Sequence, residues 1–347
     1  MNVKLKVLTA GVLFFTGQAL VAQEAKKDST SIKEKKIEEV VVLGYSKTAT
    51  KSKSSAASTT VSASTLENRA TTSFLTSVQG AAPGISINSG SGSPGSGRIN
   101  VTVRGVGSIN ASTDPLYVID GLISSGNEFR NLNPNDIETL SVLRDAQATS
   151  IYGNYGANGV VVITTKSGKF NTGLRVSYDL TTSISTMPKH KYDLASSRET
   201  LVIQKGAGVG IGATMTQSQI DNYSIDTDWS KEFFRTAFSQ QHNIGLRTGG
   251  ENLSSYTSLG YLDSEGVVKS TDFKRFTLRS NINGRSKDRR LTYSAQIGLG
   301  YSKRNQLHEE TGSNVRNNAV QNPLLGLFSL STLRPYYFID GRQMYEL

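Results

Sequence analysis

The chain contains no cysteine. That excludes disulfides, thiolate metal sites, thiol nucleophiles and a lipid-modified N-terminal cysteine. Histidine occurs only at His190, His242 and His308, in no spacing that suits a metal. No G-x-S-x-G elbow offers a serine nucleophile. Asp114, Asp120, Asp136 and Asp145 stand beside Pro, Gly or Asn or at an expected helix end, where turn and cap roles account for them. No catalytic residue, cofactor or metal is expected, and nothing argues for an enzyme. Beyond the N-terminus there is also no approach to the ~18 consecutive apolar residues of a transmembrane helix. The chain is either soluble outside the cytoplasm or enters a membrane as strands.

It does have an export signal. "MNVKLKVLTAGVLFFTGQALVAQ" places Lys4 and Lys6 before an apolar stretch, Val7 to Phe15, and ends in small residues. Residues 1–23 read as a secretory signal peptide cut near Ala22 or Gln23. The net charge of +10 suggests nucleic acid at first sight. Half of that excess lies in residues 1–53, in the signal and the tail "EAKKDSTSIKEKK", and no basic helix follows. A solvated tail is the better reading, and no nucleic-acid partner is expected.

Two glycine-rich stretches imitate nucleotide loops. "GSGSPG", Gly90 to Gly95, carries Pro94 and leads into a strand where a helix is required. "LVIQKGAGVGIGA", with Asp228 downstream, has no βαβ unit around it and reads as a loop. "TKSGK" lacks the upstream glycine of a P-loop.

The remainder has two grammars. Residues 24–64 are rich in Lys, Ser, Thr and Ala except for one valine run, "IEEVVVLGYS". Residues 65–169 read as a compact α+β domain. "TLENRATTSFLTSVQGAAPG" predicts a short helix, and "ISIN" and "INVTVRG" predict strands around a Gly/Ser loop. "PLYVIDG" predicts a buried strand ending in a turn, and "GVVVITTK" another buried strand. "NPNDIETLSVLRDAQATSIYG", with its Asn and Asp start signals, predicts a helical stretch.

From residue 170 to 347 the pattern is alternation. "GLRVSYDLTTSIS" sets Leu174, Val176, Tyr178, Leu180 and Ile184 against Arg175, Ser177, Asp179, Thr181 and Ser183. "FKRFTLRSNIN" sets Phe276, Leu278 and Ile282 against Arg275, Thr277, Arg279 and Asn281. "LTYSAQIGLGY" repeats the rule, and "HNIGLRTG" and "LSSYTSLGYL" follow it more weakly. Such segments suit transmembrane β-strands, but a soluble sheet with one wet face alternates identically. Connections that run long, short, medium, short, long favour the barrel. About five strands cannot close one, because the smallest barrels need about eight.

The valine run, "VTVRGVGSINASTDPLYVIDG" and "LNPNDIETLSVLRDAQATSIYGNYGANGVVVITTKSGK" closely resemble the plug region of SusC/RagA-type TonB-linked outer-membrane transporters. The resemblance continues through "DTDWSKEFFRTAFSQQHNIGLRTGG" and "YTSLGYLDSEGVVKSTDFKRFTLRSNI", covering about residues 37–305 in order. It implies a small α+β plug followed by the first strands of a transmembrane antiparallel barrel of the 22-strand type, in the outer membrane of a Gram-negative bacterium after Sec-type export. It also implies active import powered by TonB and its inner-membrane complex, a SusD-type surface lipoprotein as partner, and oligosaccharides or peptides as substrates. Many members carry an extra small domain before the TonB contact, whereas here only residues 24–36 precede it.

By the same resemblance Glu38, Glu39, Val40, Val41, Val42, Leu43, Gly44 and Tyr45 are the TonB box, an extended segment that is unpaired at rest and can be added to a partner's sheet edge. Arg104 and Gly105 match the plug motif whose arginine pairs with acids on the barrel wall, and a plain turn arginine is the bland alternative. Asp120-Gly121, Gly153, Gly156 and Gly159 read as plug turns. Loops 88–97 and 106–114 are candidate plug-top contacts, while the substrate-binding residues stay unassigned. A signal-transducing receptor of the same build, or a soluble periplasmic or adhesive β-protein, are the alternatives to an importer.

Overall fold

A computed structural model describes residues 40–44, 47–50, 58–62, 77–81, 83–89, 92–96, 99–103, 105, 114–144, 151–189, 191–307 and 323–333. The first strands, β1 (Val40–Gly44) and β2 (Lys47–Thr50), pair with each other as an antiparallel hairpin. Next come β3 (Ser58–Ser62) and a second hairpin, β4 (Ile85–Ser89) with β5 (Ile99–Val103).

The plug sheet adds β6 (Leu116–Ile119), β7 (Leu122–Ser124), β8 (Ile137–Leu143) and β9 (Val160–Thr165), in the order β3-β8-β9-β6-β7. Only β6 and β9 run parallel. One face packs Ile137, Leu140, Val142, Val161 and Ile163 against Val101, Val103 and Phe129. The other packs Val118, Leu143, Val160 and Val162 against Tyr152. A sheet covered on both faces needs no polar side, which is why "VVVI" in β9 does not alternate. Helix α1 (Gly126–Asn131) closes one side with a Ser125–Glu128 capping box, and its Phe129 ring lies 4.1 Å from that of Tyr117.

The helical expectation after Asn133 fails here. Asn133 and Pro134 start only a three-residue turn of 3-10 helix, and Ile137–Leu143 then runs as a strand between β3 and β9. Local start signals lost to tertiary pairing, because the central place in this sheet demands a strand buried on both sides. Of the helix expected around residues 65–80, only Ser77 and Val78 fall in described helical residues.

After the plug the chain forms one antiparallel meander in sequence order: β10 (Thr172–Ser185), β11 (Ala237–Gly249), β12 (Leu253–Glu265), β13 (Asp272–Arg285) and β14 (Thr292–Asn305). The connections 250–252 and 286–291 are tight, and 186–236 is long. That long connection holds α2 (Ser197–Ala207), α3 (Gln217–Asp221) and α4 (Trp229–Phe233). Trp229 and Phe233 pack on Leu327 of α5 (Pro323–Ser329), beyond β14. "LVIQKGAGVGIGA" is therefore no featureless loop. It is most of α2, stopped at Gly208 (φ 69°), followed by a short 3-10 turn.

The alternation is realised as read. Leu174, Val176, Tyr178, Leu180 and Ile184 of β10 are exposed on one face, as are Tyr293, Ile297, Leu299 and Tyr301 of β14. Leu180, His242, Tyr261, Phe276 and Tyr301 stand directly opposite one another across all five strands, an aromatic-rich row near the end with the long connections. The polar face is the covered one across the middle strands β11–β13, where the preceding domain packs on it.

Candidate functional site

The seam between plug and sheet is assembled from turns on one side and inward strand positions on the other. Between β6 and β7 the whole connection is Asp120-Gly121, with φ of 50° and 87°. Asp and Gly are the residues such a two-residue hairpin turn accepts. The turn aims the Asp120 carboxylate at the end of β9, where it accepts from Thr165 N (2.7 Å) and Thr165 Oγ1 (2.6 Å). From β13 the Arg279 guanidinium donates to the same carboxylate at 2.5 Å, with the two side chains 12% and 6% exposed. Thr165 Oγ1 in turn accepts from Asn281 Nδ2 (2.7 Å), and the same amide donates to the Lys166 carbonyl (2.8 Å).

A second cluster forms at Pro134–Asp136. Asn133 Nδ2 donates to Asn243 Oδ1 (2.7 Å), and Gln241 Nε2 donates to Asn133 Oδ1 (3.2 Å). Gly260 makes this approach possible, since a Cβ there would stand 2.5 Å from Asn133 Nδ2 and from Thr277 Oγ1. Tyr256 donates its hydroxyl to Asp136 Oδ1 at 2.9 Å. Burial pushes the Asp136 carboxyl above its ordinary range, against hydrogen bonds from Ser258 and Tyr256 that pull it down. Arg247 and Glu138 add a half-exposed pair at 3.6 Å. Chemically the seam is a set of buried, directional polar contacts, costly to break singly and made only while both sides are in place.

At the end with the long connections, a cavity of about 240 Å³ lies between Gly92 and Pro94 of the Gly/Ser loop and the sheet. Ser183, Ser239 and Ser264 line it as a cross-strand row, with Thr181 and Gln241 alongside.

The expected TonB box is only partly covered. Val40–Gly44 are strand β1, and Glu38, Glu39 and Tyr45 lie outside the described residues. β1 is not unpaired: Val40 faces Thr50, Val41 faces Ala49 and Val42 faces Thr48. The segment just after the run contains strand formers of its own, and a tight return lets it serve as a partner. Arg104 and most of loop 106–114 lie outside the described residues, while Gly105 has φ 98°. Of the histidines, His190 and His308 lie outside them too, and His242 bonds the hydroxyl of Tyr178 at 2.8 Å on the exposed face. Among the described residues no group of three His, Asp or Glu could hold a metal.

The described plug–wall contacts run opposite to the arginine expectation, with plug carboxylates meeting wall donors. The sequence pointed to turn and cap roles alone for Asp120 and Asp136. The available signal was Arg275, Arg279 and Asn281 on the polar face of a strand whose other face is apolar: buried polar groups there need partners.

Residues 50–160 match the family model described as the TonB-dependent Receptor Plug Domain. The chain is 34% identical over 322 residues to TonB-dependent receptor SusC of Bacteroides thetaiotaomicron, covering 91% of this chain and 30% of that protein. It is 33% identical over 262 residues to TonB-dependent receptor P26 of Formosa agariphila, covering 74% of this chain and 26% of that protein. Among solved structures, a chain of the RagAB peptide transporter superposes with a TM-score of 0.71 at 28% identity, over 84% of this chain and 35% of that one. The chain thus spans about a third of the length of these relatives.

Proposed function

The chain belongs to the SusC/RagA-type TonB-dependent transporters, a family of receptors and transporters and not of enzymes, and from that premise we propose that it forms the plug and first wall of an outer-membrane nutrient importer. The observation that carries this reading is the reversed burial of the five-strand meander. Apolar side chains such as Tyr178, Ile244, Tyr261, Phe276 and Leu299 face outward uncovered. In the middle strands β11–β13, polar ones such as Asn243, Arg275 and Asn281 are buried under the plug. An aqueous protein gains nothing from that arrangement, whereas a lipid-facing wall requires it. This counts against the soluble β-protein.

In this reading residues 1–23 direct Sec-type export to a Gram-negative outer membrane, 24–64 form the periplasmic tail, 65–169 the plug and 170–347 the start of a 22-strand barrel. TonB, energised from the inner membrane, grips residues 38–45 and pulls, the seam at Asp120 and Asp136 gives way, and an oligosaccharide or peptide passes. Because β1 already lies in a hairpin with β2, TonB exchanges one strand partner for another. A two-stranded hairpin is only marginally stable on its own, so giving up β2 as a partner costs little. Arg104, expected as the latch, would add to the Asp120–Arg279 pair. A SusD-type lipoprotein covers the outer mouth.

The test uses the full-length receptor in a host lacking its own importer. Its expression should put the protein in the outer-membrane fraction and confer uptake of an oligosaccharide or peptide. Deleting the host's TonB should abolish uptake while surface binding remains. Uptake that continues without TonB would overturn the reading.

A further inference from the structure

The plug faces the wall with two buried carboxyl groups in different circumstances. Asp120 has a cation, because Arg279 bonds it directly. Asp136 is 2% exposed and receives the neutral Tyr256 hydroxyl, and among the described residues no lysine or arginine forms an ion pair with it. The charged groups around it are engaged elsewhere or act from a distance. Arg279 is held by Asp120 and Arg247 by Glu138. Arg275 lies over the Phe273 ring and, like Lys166, reaches Asp136 only through the field.

An unpaired carboxylate in such a place costs several kcal/mol, and a carboxyl group escapes that cost by keeping its proton. We propose that Asp136 is a proton-binding site of the plug–wall seam: the docked plug holds the proton, and withdrawal of the plug releases it to water. The O–H bond of the carboxyl breaks, water takes the proton, and a solvated carboxylate remains on the freed plug. The inference rests on the reading of the meander as a wall that the plug can leave. Burial of Asp136 outweighs the hydrogen bonds of Ser258 and Tyr256 and the fields of Arg279 and Lys166.

The sign follows from linkage. A carboxyl that titrates higher docked than free makes docking tightest at low pH. Docking then weakens as pH rises from the free value, 3.8, to the docked one, and is level above it. Within that window the equilibrium between docked and free plug shifts by about tenfold per pH unit, the signature of one proton. An acidic periplasm would thus hold the plug more firmly.

The full-length receptor in detergent allows a test that needs no transport, so its outcome is independent of whether the importer reading holds. Infrared spectra followed upward from pH 3.8 should show a protonated carboxylic-acid carbonyl band that persists above that pH and is absent from Asp136→Asn. Opening constants of β8 and β9 amides, from hydrogen exchange corrected for intrinsic rates, should rise with pH in wild type and stay level and low in Asp136→Asn. Tyr256→Phe, which removes a donor to the carboxylate, should move the band's midpoint to higher pH even if the Asn variant misfolds. Identical spectra for wild type and Asp136→Asn, no protonated band above pH 3.8, or opening constants that do not change with pH above 3.8 would each overturn the proposal.

Discussion

Two five-stranded sheets in one chain solve opposite problems. The plug sheet buries both faces, so Val160, Val161, Val162 and Ile163 follow one another without a polar break. In the wall sheet Leu299 and Tyr301 are exposed, whereas Asn243, Arg275 and Asn281 are at most 4% exposed. The first is stabilised by area removed from water, the second by pairing of polar groups across a seam. The difference teaches that buried and apolar are separate properties here. An inward arginine is as informative as an inward valine, provided its partner can be named.

The sharpest way to break that comparison is to remove a partner where the sheets meet. Arg279→Ala leaves the Asp120 carboxylate buried without its cation, and such losses cost about 3–5 kcal/mol. The full-length receptor should show a plug that exchanges amide hydrogens in β6, β7 and β9 far faster, with the wall unchanged. Asp120→Asn in the same background should recover part of the loss, since the stranded charge is gone.

Next in size is an inversion of the wall's outward face. Leu299→Arg places a cation in the apolar band and should destabilise the barrel in lipid by about 2–4 kcal/mol. Gln296→Arg, on the opposite side of the same strand, should be nearly neutral. Folding titrations into lipid vesicles would compare the two, and equal costs would mean that the faces are misassigned. Smaller again is Gly260→Ala. Its methyl group meets the Asn133 amide and the Thr277 hydroxyl, an overpacking worth about 1–3 kcal/mol. Hydrogen exchange should locate the loosening at Asn133–Asp136.

Legibility in the sequence follows the same divide. The wall was readable because its period-two pattern is long and each strand pairs with its sequence neighbour, as Phe276 and Arg279 on opposite faces of β13 illustrate. β8 was not, because Asn133, Pro134 and Asp136 are sound helix-start residues and only pairing with β3 and β9 overrides them. The seam was half-readable. Asp120-Gly121 announces a turn, but that its carboxylate meets Arg279, 159 residues away, depends on how plug and wall dock. The hairpin of β1 with β2 was not legible because Lys47–Thr50 is a short polar stretch with no apolar alternation, and only its pairing with Val40–Gly44 makes it a strand.

The smallest effect on either sheet is expected from Val41→Pro, and it separates function from fold. Val41 sits in the middle of β1, opposite Ala49, in a two-stranded sheet that lies near β8 and β9 but shares no strand pairing with either five-stranded one. Proline removes a ladder donor and resists the pairing geometry, whereas Val41→Thr keeps both the β-branch and the donor. If residues 38–45 are the strand that TonB takes, the proline receptor should bind substrate at the cell surface and fail to import it. A pull-down with the periplasmic domain of TonB should retain wild type and the threonine variant and lose the proline variant. Amide exchange in β8 and β9 should be the same in all three. A proline variant that unfolds the plug while still binding TonB would instead make the valine run part of the plug's own fold.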